Sequence, residues 1–302
     1  MSLRTIALAS LASVAIAAVM SACSSPTDDG RLQVVASFYP LAEAAERVGG
    51  SAVSVTDLTP PGVEPHDLEL TPSQIAAVAD ADVVLYLGGG FQPAVEDAVA
   101  NASGRAIDVS AALRTLPVPA GEEEQNLTAD PHVWLDPLLY RRIVQEIDGA
   151  LSDASPADAP MFHDDAHAFE AELTDLDAAY RDGLVHCQRN VIVTSHAAFG
   201  YLSARYGLTQ DAIAGLAPDV EPPPQRLADL KALVDHDGVT TIFTEELLSP
   251  DVADTIARET GTTTEVLSPI ESLTPDELSS GADYDSVMRQ NLTELRRALG
   301  CS

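Results

Sequence analysis

The chain has 302 residues, of which 46% are hydrophobic, so it can bury a sizeable core and is not a disordered tail. Asp and Glu total 47 against 16 Lys and Arg, giving a formal net charge of −31; this argues against nucleic acid as a partner, because phosphate binding needs a basic surface. The one long apolar run lies at the extreme N-terminus, which excludes a polytopic membrane protein.

Residues 1–23 have the pattern of a secretory signal peptide, in which Arg4 precedes an apolar run from Ile6 to Met20. The run ends in Met-Ser-Ala-Cys, which resembles a bacterial lipobox. We therefore expect Cys23 to be lipidated and residues 24–31 to form a flexible tether. The alternative is an ordinary cleaved signal peptide in which Cys23 is incidental.

Residues 32–160 alternate between strand and helix patterns, which predicts an N-terminal α/β lobe with a parallel sheet and helices on its faces. Thr71 and Asp136 are each followed by Pro, the arrangement of an N-cap and first helical residue. In chain order the predicted elements are strand 32–37, helix 40–50, strand 52–58, helix 71–81, strands 82–89 and 105–110, and helix 136–151.

Residues 161–186 lack Pro, and their apolar side chains recur at spacings of three and four. This periodicity predicts one amphipathic helix, roughly 39 Å long at 1.5 Å per residue. A helix of that length is typical of a rigid strut between two lobes.

Residues 187–302 repeat the α/β rhythm and predict a second lobe, with no sequence repeat between the halves. Its predicted elements are strand 190–195, a helix ending at Tyr206, a segment 209–216 without an assigned type, helix 225–238, strand 239–245, helix 250–261, strand 262–268 and helix 283–300. With Cys23 lipidated, Cys187 and Cys301 remain, and two cysteines of an exported chain are most simply a disulfide.

Three histidines are predicted to follow strands: His66, His132 and His196. Open α/β sheets bind ligands beyond the carboxyl ends of their strands, so the three imidazoles could converge between the lobes. Imidazole suits zinc best among common ions, with copper, nickel and iron as possibilities. From spacing alone, three unrelated loop histidines remain an equal alternative.

Five segments, occurring in order between residues 32 and 300, resemble one family: the zinc- and manganese-binding extracytoplasmic proteins of ABC importers, the ZnuA/TroA-like group. The segments are EPHDLELTPSQ, DPHVWLDP, VTSHAAFGYLSARYGL, IFTEELLSPDVADTIARETGT and VLSPIESL followed by ADYDSVMRQNL. The resemblance implies two (β/α) lobes joined by a long backbone helix, with one metal ion between them.

The resemblance implies that His66, His132 and His196 are metal ligands. Zinc-type members have His at the third position, where manganese-type members typically carry Glu, and manganese prefers carboxylates on chemical grounds as well. Glu271 matches the carboxylate that some zinc-binding relatives use as the fourth ligand. Other relatives use an Asp at the position of Ser268, which cannot serve equally here.

Glu245, Glu246 and Asp251 are rival candidates for the fourth ligand, and Glu271 could instead cap a turn. Electrostatics favours one carboxylate, because three neutral imidazoles leave the full charge of a divalent ion in a partly dry site.

Asp130 and Glu64 neighbour two of these histidines and could accept hydrogen bonds from imidazole N–H groups, or could act as cap or turn residues. Trp134 and Phe199 are expected to pack around the site.

Two further features are expected to be solvated surface rather than metal sites. His163 and His167 lie one helical turn apart on the long helix, without an evident third ligand. Residues 117–130 contain Glu122–Glu124 but no His, unlike the His-rich loop of many zinc-type relatives.

The resulting hypothesis is a non-enzymatic, monomeric lipoprotein, lipid-anchored at the bacterial surface, which captures one Zn²⁺ per chain and delivers it to the membrane permease of an ABC importer. A carrier of manganese (Mn²⁺) or iron is the alternative within this class. A zinc hydrolase is a weaker alternative, because a fourth protein ligand closes the position that catalytic zinc keeps open. A secondary role as an adhesin is compatible with the sequence.

Overall fold

Two four-stranded sheets, both entirely parallel, form the frame of the protein in its computed structural model, which describes residues 30–119, 127–218 and 222–302. The first sheet contains β1 (Leu32–Ala36), β2 (Val53–Asp57), β3 (Val83–Tyr86) and β4 (Arg105–Asp108). The second contains β5 (Val191–Thr194), β6 (Thr209–Ala212), β7 (Thr241–Thr244) and β8 (Thr263–Val266).

The two sheets share one topology. The strand orders are β2-β1-β3-β4 and β6-β5-β7-β8, so the first strand of each sheet lies between the second and the third. The register pairs Val34 with Val55 and Val83, and Val193 with Asp211 and Ile242. The strand order therefore reverses beside β1 and β5, and such positions are where open α/β sheets bind ligands. The predicted fold class is confirmed.

Ten helices cover these sheets within the described ranges. They are α1 (Tyr39–Gly49), α2 (Pro72–Asp80), α3 (Pro93–Val99), α4 (Pro137–Ala154), α5 (Ala159–Leu184), α6 (Gly200–Tyr206), α7 (Pro224–Asp237), α8 (Asp251–Thr260), α9 (Pro275–Ser280) and α10 (Tyr284–Leu299).

Both predicted N-caps are confirmed. The Thr71 hydroxyl accepts from the Gln74 backbone N–H, and the Gln74 side chain accepts from the Thr71 backbone N–H, which completes a capping box. The Asp136 carboxylate accepts from the backbone N–H groups of Leu138 and Leu139. These caps pair N–H groups that have no partner within the helix.

The sequence analysis missed α3, α9 and the strand β6, and its strands were too long. The helices α3 and α9 have seven and six residues, fewer than two helical turns, so their apolar spacing defines no helical face. One signal for α9 was available, since Thr274 and Glu277 form a capping box at its start. The predicted strand 82–89 ends at Tyr86, where the following glycines turn the chain.

The long helix α5 has 26 residues and lies between the two sheets in sequence. It packs on α4, α1 and α10, and its buried stripe includes Phe162, Phe169 and Leu176. The Tyr180 hydroxyl on the same stripe donates to the Met288 carbonyl of α10 at 2.7 Å. One hydrophobic core therefore extends from the first half of the chain through α5 into the second.

Cys187 and Cys301 are joined by the predicted disulfide, which connects the segment after α5 to the end of α10. Residues 1–29, which contain the proposed lipobox and nearly all of the tether, lie outside the described part of the chain. Within the described part, no helix combines the length and apolar character needed to cross a membrane.

Candidate metal centre

Four side chains meet beyond the carboxyl ends of the strands of both sheets. His66 lies between β2 and α2, and His196 is two residues beyond the end of β5. His132 precedes a single 3₁₀ turn before α4, and Glu271 follows β8. One donor atom from each lies within 4.8 Å of the others. The structure thus brings together all four predicted ligands.

One step of the sequence argument was wrong. His132 does not directly follow a strand, because β4 ends at Asp108 and more than 20 residues intervene. It reaches the site because the segment preceding α4 is hydrogen-bonded to the loops that follow β3 and β4, where Thr128 N–H donates to the Gly89 carbonyl at 2.9 Å. Asp130 N–H, for example, donates to the Leu116 carbonyl at 3.0 Å.

Four of the six distances between the donor atoms are close to those of a tetrahedral zinc site. Glu271 Oε1 is 3.4, 3.1 and 3.2 Å from Nε2 of His66, His132 and His196, respectively. Nε2 of His132 and Nε2 of His196 are 3.3 Å apart. Donors about 2.0–2.1 Å from a tetrahedral Zn²⁺ are about 3.3–3.4 Å from one another. These four distances therefore match those of a four-coordinate zinc site, and all four donor atoms lie within 4.8 Å of one another.

The site is enclosed by protein. The side chains of His132 and His196 are fully buried, and that of His66 is only 5% exposed. The Phe91 ring packs edge-on against His66, and the Trp134 ring packs against His132 at 5.3 Å. Trp134 was predicted as a packing residue, whereas Phe91 was missed because it is distant in sequence from all four candidates.

Two carboxylates orient the imidazoles from behind. Nδ1–H of His132 donates to Asp130 at 2.8 Å, and Nδ1–H of His196 donates to Glu245 at 2.8 Å. A proton held on Nδ1 leaves the Nε2 lone pair facing the cluster, as metal binding requires.

Asp130 thus contacts an imidazole, which was one of its two predicted roles. Glu245 was weighed only as a rival ligand, but the structure places it on the opposite side of the His196 ring. Nothing in the local sequence links Glu245 to His196, which is 49 residues earlier.

The other carboxylates play different parts. Glu64 accepts the His66 backbone N–H at 3.0 Å, so it stabilises a turn, the second of its predicted roles. Glu246 lines a small cavity beside the site together with Glu64 and Glu271. Asp251 begins α8 and is exposed, outside the four-residue cluster.

The charges of the four clustered side chains compensate one another. Burial alone would raise the pKa of Glu271, but the imidazoles, led by His196, hold this pKa well below its usual range. Burial opposes protonation of His132 and His196, yet the facing carboxylates raise the pKa of both above the ordinary value. Burial lowers the pKa of His66. Glu271 therefore faces all three imidazoles as a carboxylate whose negative charge they stabilise.

Burial, followed by the charge of Glu271, raises the pKa of Glu64 to about 9. Glu64 is therefore protonated near neutral pH, which avoids a second negative charge beside Glu271.

The backbone before Glu271 is strained. Ile270 has φ 55°, in the left-handed region, and is the one non-glycine residue with positive φ among the described residues. A β-branched side chain seldom adopts this conformation, which costs on the order of 1–3 kcal/mol. The Ser268 hydroxyl accepts from Ile270 N–H, and both ends of the Asn291 amide pair with the Ser268 backbone. This turn directs Glu271 into the cluster. Glu271 does not cap the helix that follows, because Thr274 and Glu277 form the capping box of α9.

Two other candidate histidines lie outside the four-residue cluster. His163 and His167 are exposed on α5, and Nδ1 of His163 pairs with Asp148 at 2.8 Å. Phe199 is buried immediately before α6. The acidic triplet Glu122–Glu124 falls in residues 120–126, outside the described part of the chain.

Comparison with known proteins points to one group. The sequence model of the family described as zinc-uptake complex component A, periplasmic, matches residues 34–298. The zinc-binding lipoprotein AdcA of Streptococcus pneumoniae is 36% identical over 290 residues, which cover 91% of this chain and 58% of that protein. The high-affinity zinc uptake system protein ZnuA of Bacillus subtilis is 35% identical over 299 residues, covering 93% and 94%.

Solved structures give the same result. The crystal structure of the Zn(II)-bound ZnuA-like domain of S. pneumoniae AdcA is similar with a TM-score of 0.77 and 36% identity, covering 89% of this chain and 99% of that domain. The chain thus matches this domain almost completely while spanning 58% of the full-length AdcA sequence.

Proposed function

This chain belongs to the family of periplasmic zinc-uptake components to which ZnuA gives its name. From that premise we propose that it is an extracytoplasmic solute-binding protein. It captures one Zn²⁺ as its cargo and delivers it to the membrane permease of an ABC importer. The observation that carries this proposal is the convergence of three imidazoles and one carboxylate, whose donor atoms lie within 4.8 Å of one another.

The donor set favours zinc over manganese as the cargo. Three nitrogen donors suit a borderline ion such as Zn²⁺, whereas Mn²⁺ prefers oxygen donors and a larger coordination number. Glu271 lowers the net charge of the occupied site from 2+ to 1+, which reduces the cost of burying the ion. Mn²⁺ remains the alternative cargo that the experiment below must exclude.

The same donor set supports transport rather than catalysis. Catalytic zinc sites keep one coordination position for water or substrate, and here Glu271 would fill the fourth position. We therefore propose that the protein is a carrier and not a zinc hydrolase.

The remaining parts of the proposal concern where the protein acts. Cys23 would carry the lipid that anchors the protein outside the cytoplasmic membrane, with residues 24–31 as the tether. The lobes 32–160 and 187–302, connected by the helix within 161–186, would present a monomeric carrier to the permease. Mass spectrometry of the membrane-bound protein tests lipidation at Cys23, and an unmodified chain beginning at a different residue would contradict it.

Metal titration of the metal-free protein tests the cargo. We expect one Zn²⁺ per chain, bound far more tightly than Mn²⁺, because the donors are mostly imidazole nitrogens. Isothermal titration calorimetry with a competing chelator measures both affinities. Tighter binding of Mn²⁺ would favour the alternative cargo, and binding of neither ion would contradict the proposed function.

Zinc affinity is expected to fall as the pH falls, beginning above about pH 6.5. Burial opposes protonation of His132 and His196, but the facing carboxylates outweigh burial and raise the pKa of both rings. Zinc must therefore displace a proton from each ring. His66 adds no such competition, because burial lowers its pKa. Chelator competition across the range from about pH 8 to about pH 5.5 measures this dependence, and a constant affinity would contradict ligation by these rings.

The stability of the metal-free protein is expected to change in the opposite direction over part of this range. A pKa raised in the folded state stabilises the fold below about pH 6.5 and loses this effect as the pH rises through the folded value. The raised pKa of His196 therefore predicts a lower melting temperature at higher pH in metal-free protein. Thermal melts with and without zinc separate the two effects, and parallel trends would contradict the assignment.

Replacing Glu271 by Gln is expected to weaken zinc binding by about 10- to 100-fold, because the shape is kept while the charge is lost and water can occupy the position. Glu245→Gln should reduce the affinity less, since Glu245 contacts only the outer nitrogen of His196. Glu246→Gln serves as the control and should bind like the wild type. Unchanged affinity in Glu271→Gln beside a clear loss in Glu245→Gln would move the fourth ligand to Glu245.

A further inference from the structure

Asp130 fixes the orientation of His132 through two hydrogen bonds. Its Oδ1 accepts the backbone N–H of His132 at 3.0 Å and the ring Nδ1–H at 2.8 Å. Its side chain is only 5% exposed, so water cannot readily replace either contact. The position of Asp130 therefore decides where the His132 imidazole points.

The hydroxyl of Tyr201, in the first turn of α6, holds the backbone of Asp130. It donates to the Asp130 carbonyl at 2.8 Å and accepts the Leu116 N–H at 2.8 Å. Asp130 N–H in turn donates to the Leu116 carbonyl at 3.0 Å. Burial raises the pKa of Tyr201, so its hydroxyl stays protonated and can donate. A side chain from the second half of the chain thus ties together two segments of the first half.

Gly200 leaves just enough room for the carboxylate of Asp130. A Cβ added at Gly200 would lie 2.7 Å from Asp130 Oδ2, closer than real Cβ contacts allow. The contacted atom belongs to a short, buried side chain whose other oxygen is bonded to His132. A methyl group at position 200 would therefore displace Asp130 away from its place behind His132.

We propose that Gly200 and Tyr201 are positioning residues of the metal centre, which hold Asp130 and through it the imidazole of His132. His196 precedes Gly200 by four residues, so one segment supplies a donor from the second half of the chain and orients a donor from the first. This inference rests on the proposed function. It adds that contacts between the two halves of the chain set the zinc affinity without changing which atoms bind the ion.

Tyr201→Phe tests the first contact, with Tyr180→Phe as the matched control. Both tyrosines are buried, and each donates to one backbone carbonyl, Tyr180 to Met288 at 2.7 Å. We expect Tyr201→Phe to lower zinc affinity by about tenfold, the lower end of the range for outer partners of metal ligands. Tyr180→Phe should leave zinc affinity unchanged. Loss of a buried hydrogen bond destabilises both metal-free variants, so stability alone cannot produce the difference.

Gly200→Ala tests the second contact, with Gly149→Ala as its control. Gly149 lies within α4, and a Cβ there would meet nothing within 4 Å. Ala is the better helix former at both positions. We expect Gly149→Ala to keep the wild-type affinity, whereas Gly200→Ala lowers it by about tenfold through displacement of Asp130.

The measurement is zinc affinity by chelator competition, accompanied by the visible absorption of bound Co²⁺, which depends on donor geometry. The bands should shift in Tyr201→Phe and Gly200→Ala but not in the two controls. Thermal melts show which variants fold. If Gly200→Ala does not fold, Tyr201→Phe alone decides the question. A wild type that fails to bind zinc overturns the proposed function. A wild type that binds, beside test variants that match their controls, overturns only this inference.

Discussion

Replacing His196 by Ala is expected to lower zinc affinity by more than about a hundredfold, because it removes a direct donor and not an outer partner. The change also leaves the buried carboxylate of Glu245 without the imidazole that it contacts, whereas Glu271 keeps His66 and His132 as partners. An unpaired buried carboxylate is costly, so the metal-free variant should also be less stable than the wild type. Chelator competition measures the affinity, and circular dichroism melts establish that the variant is folded.

His163→Ala is the matched control for this prediction. His163 also pairs with a carboxylate, Asp148, but it lies exposed on α5. We expect its loss to leave zinc affinity unchanged. Equal losses in the two variants would mean that the site is misplaced. His196→Gln, which keeps a polar side chain of similar reach, guards against a variant that fails to fold.

Loss of the Cys187–Cys301 disulfide is expected to destabilise the protein by about 2–5 kcal/mol. The bond closes a loop with a sequence separation of 114 residues, for which the chain-entropy description gives a value near about 4.7 kcal/mol. The N–H groups of Gln188 and Arg189 still donate to the Leu299 carbonyl, so the local structure has other support. Urea denaturation of Cys187→Ser measures the effect.

Cys301→Ser and the double variant complete this test. All three variants lack the same bond, so we expect equal losses of stability and wild-type zinc affinity in each. An effect in the double variant equal to the sum of the single effects would show that the two thiols act independently. Two free thiols in the unreduced, unfolded protein lacking Cys23 would likewise contradict the bond.

The regular elements with strong local signals were predictable from the sequence. The cap and proline pairs at Thr71 and Asp136 begin α2 and α4 as predicted, because capping depends on residues within one turn. The predicted helix 161–186 matches α5 to within two residues at each end, since its apolar stripe is long enough to define a period. The strand β6, Thr209–Ala212, was not assigned as a strand because its sequence TQDA lacks the apolar, β-branched run that marks β5 and β7.

The candidate ligands were predictable by a different route. The spacing of His66, His132 and His196 left the metal site and unrelated loop histidines equally plausible, and the resemblance to a family decided between them. Glu271 was named among rivals, all of which were carboxylates near the ends of strands. The orienting role of Glu245 and the contact of Phe91 with His66 were not foreseen.

The sequence by itself determined which residue types were available and which segments would form the sheets and helices, because periodicity and capping act over a few neighbouring residues. Only the tertiary structure decided which carboxylate faces which nitrogen. Glu245 reaches Nδ1 of His196 from the end of the neighbouring strand β7, whereas the left-handed turn at Ile270 directs Glu271 to the Nε2 atoms. These contacts join residues far apart in sequence, and they form because both sheets bring their carboxyl ends to one place.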